Sequence, residues 1–216
     1  VEWRADERHG FAADVRAIAR AAHTASARVV GLCVPASPVG GVVDRADVEW
    51  LATAIAPATL VLDQSFLALS TRADDRAAPL PDEVVCVRSL TKEHAIPGVR
   101  VGYLIGRRAL VARVEASRPA WTVGSAAQAA AIAAVAAEDF VAGARARLLA
   151  DAAALADAAA LADALRALGY DVLPSQTPYF VVHVGDAAAF RCALLREHRV
   201  LVRDCASFGM PAWVRV

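Results

Sequence analysis

The chain has 216 residues, enough for a substantial core and for one or two domains. Its 23 basic and 23 acidic residues cancel and no basic block stands out, so nothing electrostatic points to nucleic acid or an anionic membrane as partner. Apolar residues reach 57%, but many are alanine, and the run from Ala126 to Val135 is too short to span a bilayer.

Residues 11–22 have helical spacing, with Phe11, Val15, Ile18 and Ala19 or Ala22 on one side. Arg28 to Val34 reads as a buried strand, closed by Pro35 and the turn Ser37-Pro38-Val39-Gly40-Gly41. Asp44 is placed to cap a helix running to about Ala56, and Thr59 to Leu62 forms a second strand with Asp63 at its carboxyl end. After a polar surface connection over 71–82, Val84 to Arg88 is a third strand that delivers Ser89 and Lys92, and Val101 to Ile105 is a fourth. Strands that are apolar throughout predict a mostly parallel sheet covered on both faces. Ala109 to Ser117 is helical, and Pro119 interrupts it. Helix then dominates from Ser125 to Leu168, with a break expected near Glu138 or Gly143 and Gly169 as the terminal cap. The remainder predicts a small α/β unit, with strands over Tyr170–Leu173, Tyr179–Val184, Val200–Val202 and Trp213–Val216 and a helix over Ala187–Glu197. The expected organisation is a cofactor-binding region at 1–118, linking helices at 119–168 and a small domain at 169–216.

Glu2, Arg4, Asp6 and Arg8 interrupt the start, which therefore has no signal-peptide pattern. Cys33, Cys86, Cys192 and Cys205 lack any paired metal spacing and predict reduced thiols in a cytoplasmic protein, with no structural metal. A first residue that is not methionine and a final apparent strand, Val214-Arg215-Val216, suggest part of a longer protein.

Lys92 is the only lysine in a chain that otherwise draws its positive charge from arginine. It sits among hydroxyls just past a strand, a setting suited to a lysine that forms an imine with a cofactor. In open α/β sheets, functional groups collect beyond the carboxyl ends of the strands, and Ser37, Asp63 and Lys92 all fall there. Pyridoxal phosphate needs an acid for its ring nitrogen and donors for its phosphate. Asp63 suits the first role, and Ser89 and Arg100 suit the second. Arg215 suits a substrate carboxylate in the same bidentate manner, and Tyr179 is a candidate to meet substrate from the small domain. Each has a plainer reading as a strand-end cap, a turn hydroxyl, a surface arginine or a packing aromatic.

The segment Arg88-Ser89-Leu90-Thr91-Lys92-Glu93-His94-Ala95-Ile96-Pro97-Gly98-Val99-Arg100-Val101-Gly102-Tyr103 resembles the cofactor-lysine signature of fold-type I, class I/II aminotransferases. Its character is closest to the branch of histidinol-phosphate aminotransferase and threonine-phosphate decarboxylase. The resemblance implies a three-layer α/β/α large domain, here incomplete, with a small two-layer carboxyl-terminal domain, and a homodimer when complete. It assigns the cofactor imine to Lys92, phosphate binding to Ser89 and Arg100, the pyridinium partner to Asp63 and the substrate carboxylate to Arg215. The expected activity is transamination of an amino acid or amino-acid phosphate. Threonine-phosphate decarboxylation and a catalytically impaired, truncated homologue are the alternatives.

Two positions depart from the family pattern. Ser37, in Cys33-Val34-Pro35-Ala36-Ser37-Pro38-Val39-Gly40, stands where the family has the asparagine that bonds the ring oxygen, and Phe66 stands at the usual tyrosine. No match to the family's amino-terminal glycine-rich phosphate turn or ring-stacking aromatic is present, and the final helices of the small domain are unmatched. His94 is expected to pack and not to act as a second base. Trp121 suits either the site or the core.

Overall fold

In the computed structural model, residues 1–137, 139–140, 143 and 152–216 are described, with side chains described outside 152–157. The chain divides into two compact units: Val1–Pro35 with Val42–Arg145, and Ala36–Gly41 with Ala146–Val216.

The first unit is built on a four-stranded sheet of order β1-β2-β3-β4, comprising Val29–Cys33, Thr59–Asp63, Val84–Ser89 and Gly102–Ile105. β1 pairs parallel with β2 and β2 with β3, whereas β4 runs antiparallel to β3. Parallel pairing requires crossovers, and α2 (Arg45–Ala54) supplies the first. The core lies under these strands, where Leu60, Leu62 and Cys86 meet Leu51 and Ala52 of α2 and Val15, Ile18 and Ala19 of α1 (Val15–Thr24). Burying each such leucine contributes about 1.5–3 kcal/mol. The expected apolar face of α1 is correct, but its start moves from 11 to Val15. Asp14 sets that boundary, its carboxylate accepting the amides of Arg16 and Ala17 at 2.9 Å each. Asp44 precedes α2 as expected, yet its side chain makes no capping bond and instead accepts Arg72 at 2.8 Å.

After β3, α3 (Leu90–Glu93) is a single turn. α4 (Arg108–Ser117) and α5 (Ser125–Ala136) follow in the same unit. The expected helical break near Glu138 or Gly143 falls on a stretch of which only 139–140 and 143 are among the described residues. Trp121 is 97% exposed and so is not a core residue. His94 stacks on Phe140 at 5.9 Å between centroids, the packing role expected of it.

The second unit contains α6 (Ala152–Ala167) and α7 (Ala187–Ala193), the latter capped by Asp186 and continued by a π-helical turn over Leu194–His198. Its sheet has order β5-β7-β6 and is antiparallel throughout, with β5 at Val181–His183, β6 at Arg203–Asp204 and β7 at Trp213–Arg215. Val172, Phe180, Val182, Val202 and Val214 form its core with Ala162 and Ala187. Two expected strands are corrected. Tyr170–Leu173 contributes only one bridge, Val172 to Val182, and Val200–Val202 is not a strand. Val172 and Val202 are apolar because they fill the core, and the ladder uses Arg203–Asp204 instead. Gly169 closes α6 at φ +89°, as expected.

Candidate functional site

Asp63 ends β2, and Lys92 lies in the turn that follows the adjacent parallel strand β3. β2 ends at Asp63, which lies in register with Cys33 of β1 on one side and Val87 of β3 on the other. The Asp63 carboxylate accepts the Ser65 amide at 2.9 Å, fixing the chain as it leaves the strand. Beside it, Cys33 is exposed, yet desolvation by the surrounding atoms raises its thiol above the usual range, and the Asp63 charge adds to the effect.

β3 ends at Ser89, and the next turn carries Lys92. Leu90, Thr91 and Glu93 are buried to 4%, 4% and 5% exposure, while Lys92 alone in this helix is exposed. The turn is therefore anchored on three of its four residues and presents the amine outward. The Lys92 ammonium lies 5.1 Å from the centre of the Phe66 ring, a cation–π geometry. Ser89 and Thr91 bond hydroxyl to hydroxyl at 2.6 Å. Arg100 adopts φ +57°, a left-handed conformation uncommon outside glycine, and its guanidinium donates to the Pro97 carbonyl at 3.1 Å. Gly102 lies opposite Ser89 in the β3–β4 ladder, where a Cβ would come within 2.5 Å of the Arg88 carbonyl oxygen. The close approach of β4 to β3 at this point requires glycine.

A second set gathers in the other unit. Arg215 of β7 donates to the Ser37 hydroxyl at 3.2 Å, and its guanidinium lies 5.3 Å over the Tyr179 ring. Tyr179 is 8% exposed and its hydroxyl donates to the Ala36 carbonyl at 3.3 Å. The turn over Ala36–Gly41 is secured further by Ala36 N–H to Gly41 O and by Gln176 N–H to Gly40 O. Ser37, Tyr179 and Arg215, separated by up to 178 positions in sequence, thus form one cluster. Asp63, Ser89, Lys92 and Arg100 belong to the first unit.

Sequence reading missed the polar residues behind Lys92. Arg88 is 8% exposed, donating from Nε to Gln64 Oε1 at 2.9 Å and from Nη2 to the Arg76 carbonyl at 3.0 Å. Arg76 pairs with Glu93 at 3.0 Å and donates to the Tyr103 hydroxyl at 3.2 Å. A charged residue inside a run that is otherwise apolar, such as Arg88, was the one available signal. Among the described residues, no helix is long and apolar enough to cross a membrane, and no cluster of His, Cys, Asp or Glu suits a metal ion.

Comparison with known proteins extends over the whole chain. Residues 1–216 match the family model for aminotransferase class I and II. Histidinol-phosphate aminotransferase of Gluconacetobacter diazotrophicus is 32% identical over 189 residues, covering 84% of this chain and 51% of that protein. The enzyme of the same name from Symbiobacterium thermophilum is 31% identical over 210 residues, covering 96% and 56%. Among solved structures, L-threonine-O-3-phosphate decarboxylase from Porphyromonas gingivalis superposes with a TM-score of 0.71 at 28% identity, covering 87% of this chain and 58% of that one. The chain spans about half the length of the curated relatives it matches. With a family match from first residue to last, and a sheet that sets a lone lysine one strand from an aspartate, the chain belongs to the class I and II aminotransferases, the fold-type I pyridoxal-phosphate family.

Proposed function

We propose that this chain carries the lysine and much of the cofactor-binding surface of a pyridoxal-phosphate-dependent aminotransferase acting on an amino acid or amino-acid phosphate. One observation carries the reading: the sole lysine is held outward on a turn whose other three residues are buried, one strand away from Asp63. The donor set fits the cofactor, because it offers a primary amine for the aldehyde, a carboxylate for the ring nitrogen, and a hydroxyl and a guanidinium for the phosphate. When bound, the cofactor supplies an aldehyde that condenses with amines and a ring that accepts electron density from the substrate carbon.

The protein's part follows from its own groups. Asp63 accepts a hydrogen bond from the protonated ring nitrogen and keeps that proton in place. Ser89 Oγ and Arg100 hold the phosphate, the arginine through a charge-assisted fork. Lys92 Nζ, once displaced by the substrate amine, would take the proton from the substrate α-carbon and hold it for delivery elsewhere in the reacting system, not back to that carbon. Arg215 grips the substrate carboxylate; Ser37 and Tyr179, which now hold its guanidinium, orient it for that contact. We assign the working form to a homodimer.

A second reading, decarboxylation of an amino-acid phosphate, draws support from the similarity to the Porphyromonas gingivalis enzyme. The two readings share every cofactor contact and differ in which substrate bond is broken. The test begins with the purified chain, pyridoxal phosphate and borohydride, followed by peptide mapping. A reduced adduct at Lys92 that is lost in Lys92→Ala is the expected result. A folded chain labelled only at its amino terminus refutes the proposal. Assays of keto-acid and carbon dioxide release with amino acids and their phosphates then separate the two reactions.

A further inference from the structure

We propose that a polar chain buried except at Arg76, Gln64–Arg88–Arg76–Glu93, is a positioning device that fixes the span between Asp63 and Lys92. This inference rests on the cofactor reading above for its purpose, though not for its geometry. The chain begins at the residue after Asp63 and ends at the residue after Lys92. Gln64 Oε1 accepts Arg88 Nε at 2.9 Å, Arg88 Nη2 donates to the Arg76 carbonyl at 3.0 Å, and Arg76 Nη2 meets Glu93 Oε2 at 3.0 Å. Gln64, Arg88 and Glu93 are exposed to only 6%, 8% and 5%. The Gln64 amide also donates to the Val87 carbonyl at 2.8 Å, tying the end of β2 to β3 directly before Arg88.

A surface ion pair would hold nothing firmly, because water and salt compete with it. Here the Glu93 side chain is 2% exposed and the Arg76 side chain 25%, so the pair is shielded and its directions are fixed. Glu93 Oε1 is buried and has no partner among the described residues. A buried carboxylate oxygen left in this state is costly, so the residue is ill suited to a role in stability alone. Its one strong contact holds the turn that carries Lys92. Arg76 divides its guanidinium between Glu93 and the Tyr103 hydroxyl, which brings β4 into the same set. Lys92 itself takes no part in the chain, and its amine lies over the Phe66 ring.

The test is a double-mutant cycle on Gln64→Ala and Glu93→Ala in the full chain, with Leu51→Ala as a control that weakens the core of the same unit. Among the described residues Gln64 and Glu93 are linked through the two arginines, so independent structural effects multiply, whereas a shared positioning role does not. Hydrogen exchange of the amides from Leu90 to His94 reads the turn without cofactor. We expect it to accelerate about tenfold in Gln64→Ala as well as in Glu93→Ala, with little further change in the double variant. Visible circular dichroism per unit absorbance of bound pyridoxal phosphate reads its orientation. It is expected to fall in both variants, to be rescued in part by Glu93→Gln and to stay at the wild-type value in Leu51→Ala. Multiplicative exchange effects, or exchange at 90–94 that ignores Gln64→Ala, overturn the inference. A wild-type chain that takes no cofactor defeats the functional reading instead and leaves the exchange result to judge the positioning chain.

Discussion

Gly40→Ala puts the second cluster under direct test. Gly40 adopts φ +75°, where an L-residue costs about 1–2 kcal/mol. An added Cβ would also overlap Ser175 Oγ and lie 2.6 Å from Thr177 Oγ1 and 2.9 Å from Ser175 Cβ. Ser175 cannot swing aside freely. Its hydroxyl donates to the Tyr179 carbonyl at 2.6 Å, meets Thr177 Oγ1 at 2.9 Å and accepts the Thr177 amide at 3.1 Å. Relief of this overlap adds about 1–3 kcal/mol, the usual cost of forcing an extra methyl into a packed site. The total, about 2–5 kcal/mol, corresponds to a loss of exchange protection of about 30-fold to a few thousand-fold. Hydrogen exchange measured on peptides covering β5 and β7 is the assay, with β2 of the other unit as internal reference. Adding Ser175→Ala should recover only part of the loss, because the backbone strain and the Cβ contact remain. Unchanged protection in β5 and β7, or complete rescue by Ser175→Ala, refutes the reasoning.

Gly102→Ala should weaken the β3–β4 pair by about 1–3 kcal/mol, because the atom in its way is a backbone oxygen and not a movable side chain. Faster exchange at Arg88 and Ser89 would show it, while Gly106→Ala, with 3.4 Å to Val85 Cγ2, should be much milder. Asp6 supplies a pH test. A side-chain hydrogen bond from Arg8, then one from the Arg8 amide, lowers its carboxyl from the ordinary 3.8 to about 2. A lowered value means that the contribution to the Glu7–His9 turn is complete above about pH 4 and is lost as pH falls towards 2. The Arg8 amide chemical shift should follow that window in the wild type and stay flat in Asp6→Asn.

The strands of the first unit were legible because each is a continuous apolar run, and such runs rarely serve any end but a buried sheet. The ends of the elements were less so. Asp14 and Asp44 look alike in sequence, yet one caps its helix and the other turns to Arg72, a choice set by a residue 28 positions away. In the second unit, apolar residues at Val172 and Val202 read as strand because burial and ladder pairing leave the same mark on a short segment. For the site, position relative to strand ends singled out Ser37, Asp63 and Lys92, of which Asp63 ends β2 and Lys92 lies just past the end of β3. Gln64, Arg76 and Glu93 left no such mark. Each is polar, each is separated from its partner by a loop or a strand, and nothing local distinguishes a buried polar residue from a solvated one.

Phe66 shows how a substitution that looks like a simple loss changes meaning in three dimensions. Against the family pattern it lacks a hydroxyl, so a hydrogen bond to a ring oxygen or phosphate is unavailable from this position. Yet the Lys92 ammonium rests 5.1 Å from its ring centre, a contact of about 0.5–1 kcal/mol at an exposed site. A tyrosine ring would offer a similar face and restore the hydroxyl. Because the ring face is kept, Phe66→Tyr tests the hydroxyl alone: tighter binding of pyridoxal phosphate would trace the cost of the substitution to the missing hydroxyl, and unchanged binding would refute that account.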